Sequence, residues 1–177
     1  IPEQWMPATT YQVLVSKDFR DMYGLSLHDD FAWQFDTVHP QVLYSYPSPH
    51  YEKAGPYTEV IIRFNQAVDQ RSLEQNIDWE RADTKEKVSF ALRLEENGTK
   101  VILTPQQPLA YKTPFIATVK TGLKSALGQY TLNEEFRLPF TTVGLPVIVS
   151  SQPAEDEKDA ANFNVIINFS NPMSAED

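Results

Sequence analysis

Histidines, paired acids and tyrosines are the residues of this chain with the widest chemical scope. His28, His39 and His50 all fall in predicted loops or linkers. A metal centre would need two or more such ligands to converge, and no spacing pairs these three. Asp29-Asp30 and Glu134-Glu135 are oxygen ligands of the type that binds calcium, and equally the solvated acids of a turn beside a strand. Neither pair is assigned a metal, and the non-recurring Asp18 and Asp21 add no further ligands. Serine and threonine are plentiful, but none sits in a nucleophile-like context with histidine and aspartate, so no triad is read. No glycine-rich phosphate loop is present. The chain contains no cysteine, which excludes thiol catalysis, zinc–thiolate sites and disulfides within it. The expectation is therefore a protein that is not an enzyme, with no catalytic, cofactor-binding or metal-binding residues and no cofactor. Tyr44, Tyr46, Tyr51 and Tyr57 cluster, either as a patch for a protein partner or as packing between neighbouring structural units.

The elements that carry these residues are written more than once. Phe31-Ala32-Trp33-Gln34-Phe35-Asp36-Thr37 is echoed by Phe136-Arg137-Leu138-Pro139-Phe140-Thr141-Thr142. From Tyr11 to Phe115 is 104 residues, from Phe31 to Phe136 is 105, and from Pro47 to Pro153 is 106. Val60-Ile61-Ile62-Arg63-Phe64-Asn65 likewise returns as Val165-Ile166-Ile167-Asn168-Phe169-Ser170. A period near one small domain implies tandem modules. Only one full module fits, residues 38–143. Residues 1–37 read as the C-terminal part of a preceding module, and 144–177 as the N-terminal part of a following one, so the chain reads as an excised piece of a longer protein. Half-modules leave apolar faces and strand edges uncovered, so they are expected either to fold together or to associate between molecules.

Period-two alternation with aromatic and β-branched residues marks the strands. Phe136, Leu138 and Phe140 share one inward face, as do Phe31, Trp33 and Phe35, Val101 and Leu103, and Phe115, Ala117 and Val119. About seven strands are expected in the full module: 41–45, 58–64, 77–80, 89–94, 100–105, 114–121 and 135–142. Asp69 to Leu73 reads as a single helical turn. Asn97-Gly98 predicts a tight I′ hairpin turn, and Gly24 and Gly128, at matching places, predict positive φ. The fold class is all-β, an immunoglobulin-like β-sandwich in tandem repeats. No run approaches the length of a transmembrane helix. The net charge of −9 disfavours nucleic acid and anionic membranes as partners. The acidic run Glu155 to Asp159 reads as a variable solvated loop.

Phe64-Asn65-Gln66-Ala67-Val68-Asp69, then Leu109-Ala110-Tyr111-Lys112-Thr113-Pro114-Phe115, Gly122 to Gly128 and Phe140-Thr141-Thr142 are similar to the motifs of the bacterial Ig-like domain. That family occurs in surface-layer proteins, adhesins and the N-terminal arms of bacterial alpha-2-macroglobulin-like protease inhibitors. The resemblance covers essentially the whole chain. Phe115 stands where Tyr11 supplies a tyrosine in the first copy. Asn171-Pro172-Met173-Ser174 replaces Gln66 to Asp69, so no duty common to all copies attaches to Asp69. The resemblance implies a non-catalytic spacer of an exported, cell-surface or periplasmic bacterial protein, with neighbouring Ig-like modules as its partners. It also allows two alternatives: a scaffold arm of an alpha-2-macroglobulin-like inhibitor, or a protein- or carbohydrate-binding module. Under a bacterial reading, the sequons Asn97-Gly98-Thr99 and Asn168-Phe169-Ser170 are coincidences. The proline-bearing segments 38–40 and 143–146 are expected to stiffen the junctions.

Overall fold

The computed structural model describes residues 5–153 and 164–173. Twelve strands lie in these segments: β1 (Thr10–Val15), β2 (Phe31–Asp36), β3 (Val42–Tyr46), β4 (Tyr51–Ala54), β5 (Val60–Phe64), β6 (Ile77–Arg81), β7 (Phe90–Glu95), β8 (Lys100–Pro105), β9 (Pro114–Val119), β10 (Phe136–Thr142), β11 (Ile148–Gln152) and β12 (Ile166–Phe169). A single α-helix, α1 (Gln70–Asn76), follows β5. Strands β3 to β10 build two four-stranded sheets, ordered β3-β5-β8-β7 and β4-β10-β9-β6. The pairs β1-β2 and β11-β12 each form a separate two-stranded sheet. The chain is all-β with an immunoglobulin-like sandwich, as the alternation implied.

One apolar core lies between the two larger sheets. Val60, Ile62 and Phe64 of β5 and Val101 and Leu103 of β8 join Phe115, Ala117, Val119, Leu138 and Phe140 in a single buried cluster. Trp79 adds the largest buried side chain and lies 6.1 Å from both Phe90 and Phe140. Every second side chain of a strand points inward, which is why these residues meet. Two outer-face residues are buried as well, where strict alternation placed them outside. Ile102 is flanked by Ile61 and Arg93, and Ile116 by Pro139 and Glu80, so cross-strand neighbours cover both on these central strands.

Local chemistry accounts for the ends of the elements. The Asp69 carboxylate accepts a hydrogen bond from the Ser72 amide at 2.7 Å and so caps α1, which runs seven residues rather than one turn. Leu73 anchors the helix in the core. The β7-β8 hairpin forms at Asn97-Gly98, and both residues have positive φ. Its connection is not a two-residue turn, however. Four residues, 96–99, lie between paired Glu95 and Lys100. The carbonyls of Gly98 and Thr99 accept from the amides of Val68 and Phe64, which draws the loop onto the chain leaving β5. β4 adds an eighth strand to the expected seven. It runs parallel to β10 at a sheet edge and buries only Ala54, so its sequence shows no alternation.

The first hairpin reproduces the wiring of the β9-β10 pair of the sandwich. At the β1-β2 end, the Thr9 amide donates to Thr37 Oγ1 at 2.9 Å and that hydroxyl donates to the Met6 carbonyl at 2.7 Å. At the β9-β10 end, the Thr113 amide donates to Thr142 Oγ1 at 3.0 Å and that hydroxyl donates to the Ala110 carbonyl at 2.6 Å. Ala8 and Lys112, both at positive φ, donate to the carbonyls of Val38 and Val143. Phe31 and Trp33 share the face read for them, yet both remain exposed, because no strand covers it among the described residues.

Candidate functional site: the seam beside the first hairpin

The best-organised contact outside the core joins the first hairpin to the sandwich. It forms where residues 5–10 and 36–39 meet the loop between β9 and β10. The carbonyl of Ala8 accepts from the amides of Gln129 at 2.8 Å and Tyr130 at 3.3 Å. The Tyr130 hydroxyl donates to Asp36 Oδ1 at 2.5 Å and lies in hydrogen-bonding contact with Thr10 Oγ1. Thr10 Oγ1 also meets the same carboxylate oxygen at 2.7 Å. The His39 ring stacks on Tyr130 with centroids 4.2 Å apart. Ala8 is fully buried by this arrangement.

Gly128 permits the approach. Its φ is +91°, and a β-carbon there would lie 2.3 Å from the Pro7 carbonyl oxygen and 2.5 Å from that of Ala8. Only glycine tolerates both the conformation and the contact. The Asp36 carboxyl is held below the usual aspartate value, first by the Tyr130 hydroxyl and then by Thr10, with a smaller attraction to His39. Hydrogen bonds to a carboxylate favour its charged form.

Segment 38–40 is tied on both sides. The Val38 carbonyl accepts from Ala8 and from Gln66 Nε2, the His39 carbonyl accepts from Asn65 Nδ2 at 2.9 Å, and Pro40 is fully buried. At the second junction, Asn171 Nδ2 donates to the Gly144 carbonyl at 2.7 Å. Tyr111, Lys112, Leu145 and Asn171 are among the residues lining an open cleft of about 760 Å³ there. The second junction is also tied by the bond from the Ser170 amide to the Val147 carbonyl.

The residues with chemical scope are dispersed. His28 is solvated beside Asp29, His50 donates its amide to the Pro139 carbonyl, and His39 belongs to the seam. Asp30 accepts from the Lys17 amide at 2.6 Å. Glu134 and Glu135 line a separate cleft of about 350 Å³ with Pro40 and Leu132. Asp18 accepts from Ser16, and Asp21 from the amides of Tyr23 and Leu25. Among the described residues no three histidine or acid side chains come together as metal ligands. Tyr44, Tyr46, Tyr51 and Tyr57 are all exposed, and the packing between units falls to Tyr130 and His39 instead. Asn97 lies in its hairpin, and Asn168, in β12, donates to Ser150. Residues 155–159 lie outside the described residues.

Tyr130 carried no signal in the sequence. Its counterpart in the first copy is Leu25, whose carbonyl accepts from Asp21 as that of Tyr130 accepts from Ser125, so the repeat gave no reason to single it out. Gly128 was visible as a turn, but its contact with Pro7 and Ala8 depends on tertiary structure.

A family model described as a bacterial Ig-like domain matches residues 36–142. An alpha-2-macroglobulin of Rickettsia conorii is 25% identical over 144 residues, which is 68% of this chain and 8% of that protein. Domains 1–6 of the surface layer protein SbsC share 19% identity at a TM-score of 0.45, covering 65% of this chain and 15% of theirs. The native conformation of E. coli alpha-2-macroglobulin gives 16% identity and a TM-score of 0.45, covering 63% of this chain and 7% of that one. No helix among the described residues is long and apolar enough to cross a membrane.

Proposed function

The chain belongs to the bacterial Ig-like domain family, and from that membership we propose that it is a non-catalytic spacer of an exported or cell-surface protein. Its task is to hold the parts on either side at a set distance and orientation. The observation that carries this reading is the seam. Backbone bonds from Gln129 and Tyr130 to Ala8, together with the Tyr130–Asp36 link, bind the first hairpin to the sandwich at several points. Free rotation about a single connecting segment would break all of them together. Proline at position 40 further narrows the backbone there. Small-angle X-ray scattering from the dilute chain tests the reading. A profile fitted by one arrangement of residues 5–142 supports it, and a profile requiring widely different arrangements contradicts it.

A second reading is favoured by the alignment with alpha-2-macroglobulin over 68% of the chain. In it the same spacer is one arm of an inhibitor that traps proteases. The parent protein decides between them. A protease that stays bound to the parent through gel filtration supports the inhibitor arm, and free elution of the protease supports the plain spacer.

A further inference from the structure

The loop between β7 and β8 holds a reaction that needs only water. Asn97-Gly98 is the one asparagine–glycine pair of the chain, and every other asparagine precedes Gln, Ile, Glu, Phe, Val or Pro. The backbone nitrogen that follows an asparagine can attack the side-chain amide carbon and close a cyclic imide. Glycine has no β-carbon to screen that nitrogen, and it leaves the backbone free to turn. Asn97 is exposed on this hairpin, so solvent reaches its amide.

The fold restrains the peptide that must turn. Asn97 (φ 55°, ψ 34°) and Gly98 (φ +86°) are both left-handed. The Gly98 carbonyl accepts from the Val68 amide at 3.0 Å, and the Thr99 carbonyl from the Phe64 amide at 2.8 Å. The Thr99 hydroxyl donates to the Glu96 carbonyl at 2.8 Å, closing the loop on itself.

We infer that Asn97 is a site of spontaneous deamidation, reached through local opening of this loop. The Gly98 nitrogen gives its proton to solvent and bonds to Asn97 Cγ. The Cγ–Nδ2 bond breaks, and Nδ2 takes a proton from solvent and leaves as ammonia. Water then opens the imide. Opening at the side-chain carbonyl gives aspartate. Opening at the main-chain carbonyl gives isoaspartate, in which the chain runs through the former side chain and gains a methylene.

That methylene lengthens a loop whose ends are fixed by the pairing of Glu95 with Lys100. The Gly98 and Thr99 carbonyls are then drawn off Val68 and Phe64. Segment 67–69 in turn supports the loop that forms the seam. The Ala126 amide donates to the Ala67 carbonyl at 2.9 Å, and the Asp69 amide to the Lys124 carbonyl at 3.0 Å. The reactive loop therefore lies behind the seam.

The test ages the folded chain, and the chain in concentrated urea, at mildly alkaline pH. Trypsin cleaves after Arg93 and Lys100, which isolates residues 94–100 as one peptide. Mass spectrometry with electron-transfer fragmentation distinguishes asparagine, aspartate and isoaspartate within it. In urea this peptide should convert before any other that holds an asparagine. In the folded chain it should convert about tenfold to a hundredfold more slowly, because two tertiary backbone bonds must open first. Asn97→Gln should remove the conversion in both conditions. Hydrogen exchange reads the consequence. The Val68 and Phe64 amides should lose protection in aged chain carrying isoaspartate and keep it in Asn97→Asp, whose backbone is not lengthened. An unconverted peptide in urea, or faster conversion at another asparagine, overturns the site. Equal rates in the folded and unfolded chain overturn the gating by the loop. Undiminished protection at Val68 and Phe64 in the isoaspartate form overturns the loosening.

Discussion

Replacing Gly128 by alanine probes the seam, and Gly24 supplies the matched control. Both glycines have positive φ, +91° and +84°. Alanine at either position meets a backbone penalty of about 1–2 kcal/mol. The surroundings differ, however. Nothing lies within 4 Å of a β-carbon at Gly24, while one at Gly128 meets the backbone of Pro7 and Ala8 at 2.3 Å and 2.5 Å. Backbone atoms cannot turn aside as a side chain does, so the first hairpin must move. The two bonds that the Gln129 and Tyr130 amides donate to the Ala8 carbonyl are then lost. At about 0.5–1.5 kcal/mol each, they contribute roughly 1–3 kcal/mol to the seam. Native-state hydrogen exchange reads that loss at the same two amides. Exchange there should accelerate by about tenfold to a hundredfold in Gly128→Ala, at 1.4 kcal/mol per factor of ten. It should stay unchanged in Gly24→Ala. The Leu132 amide, bonded to the Leu123 carbonyl within the same loop, should keep its protection in both variants. Equal exchange at Gln129 and Tyr130 in the two variants would refute a closed seam.

Phe140→Ala should lower the stability of the sandwich by about 3–5 kcal/mol in a denaturant melt, since the ring is buried between Phe115 and Trp79. Asp69→Ala, which removes the cap of α1, should cost about 1 kcal/mol. Tyr130→Phe should raise the Asp36 pKa towards its ordinary 3.8, because the phenol is the main group holding it down. A carboxyl titration followed by NMR checks this, and an unchanged value would show that the hydroxyl does not reach the carboxylate. The same link predicts an acid response. The folded pKa of Asp36 lies below the unfolded one, so its contribution is complete above pH 3.8 and fades as pH falls through the lower folded value. Loosening of the seam at pH 5 to 6 would contradict this assignment.

The layers of the fold were legible because they rest on alternation. Phe136, Leu138 and Phe140, and Val101 and Leu103, announce their inward face in the residue order itself. β4 was not legible, because a four-residue edge strand burying only Ala54 carries no such pattern. The β7-β8 hairpin was visible in Asn97-Gly98, but its four-residue connection follows from bonds to Phe64 and Val68, about thirty residues away in the chain. The seam was the least visible feature. A tyrosine in a loop is recognisable as a clasp only once the fold sets it beside Asp36, and the tyrosines that drew attention by clustering face solvent.

The account stands on the first hairpin and the sandwich keeping one relative orientation. With no native cysteine, spin labels can be placed solely at Met22→Cys and Arg137→Cys, both exposed, and their separation measured by double electron–electron resonance in dilute solution at neutral pH. One narrow distance distribution is predicted for the unaltered seam, broadening in Gly128→Ala. A broad distribution in the unaltered protein would mean that the hairpin swings freely, and the spacer reading would fall with it.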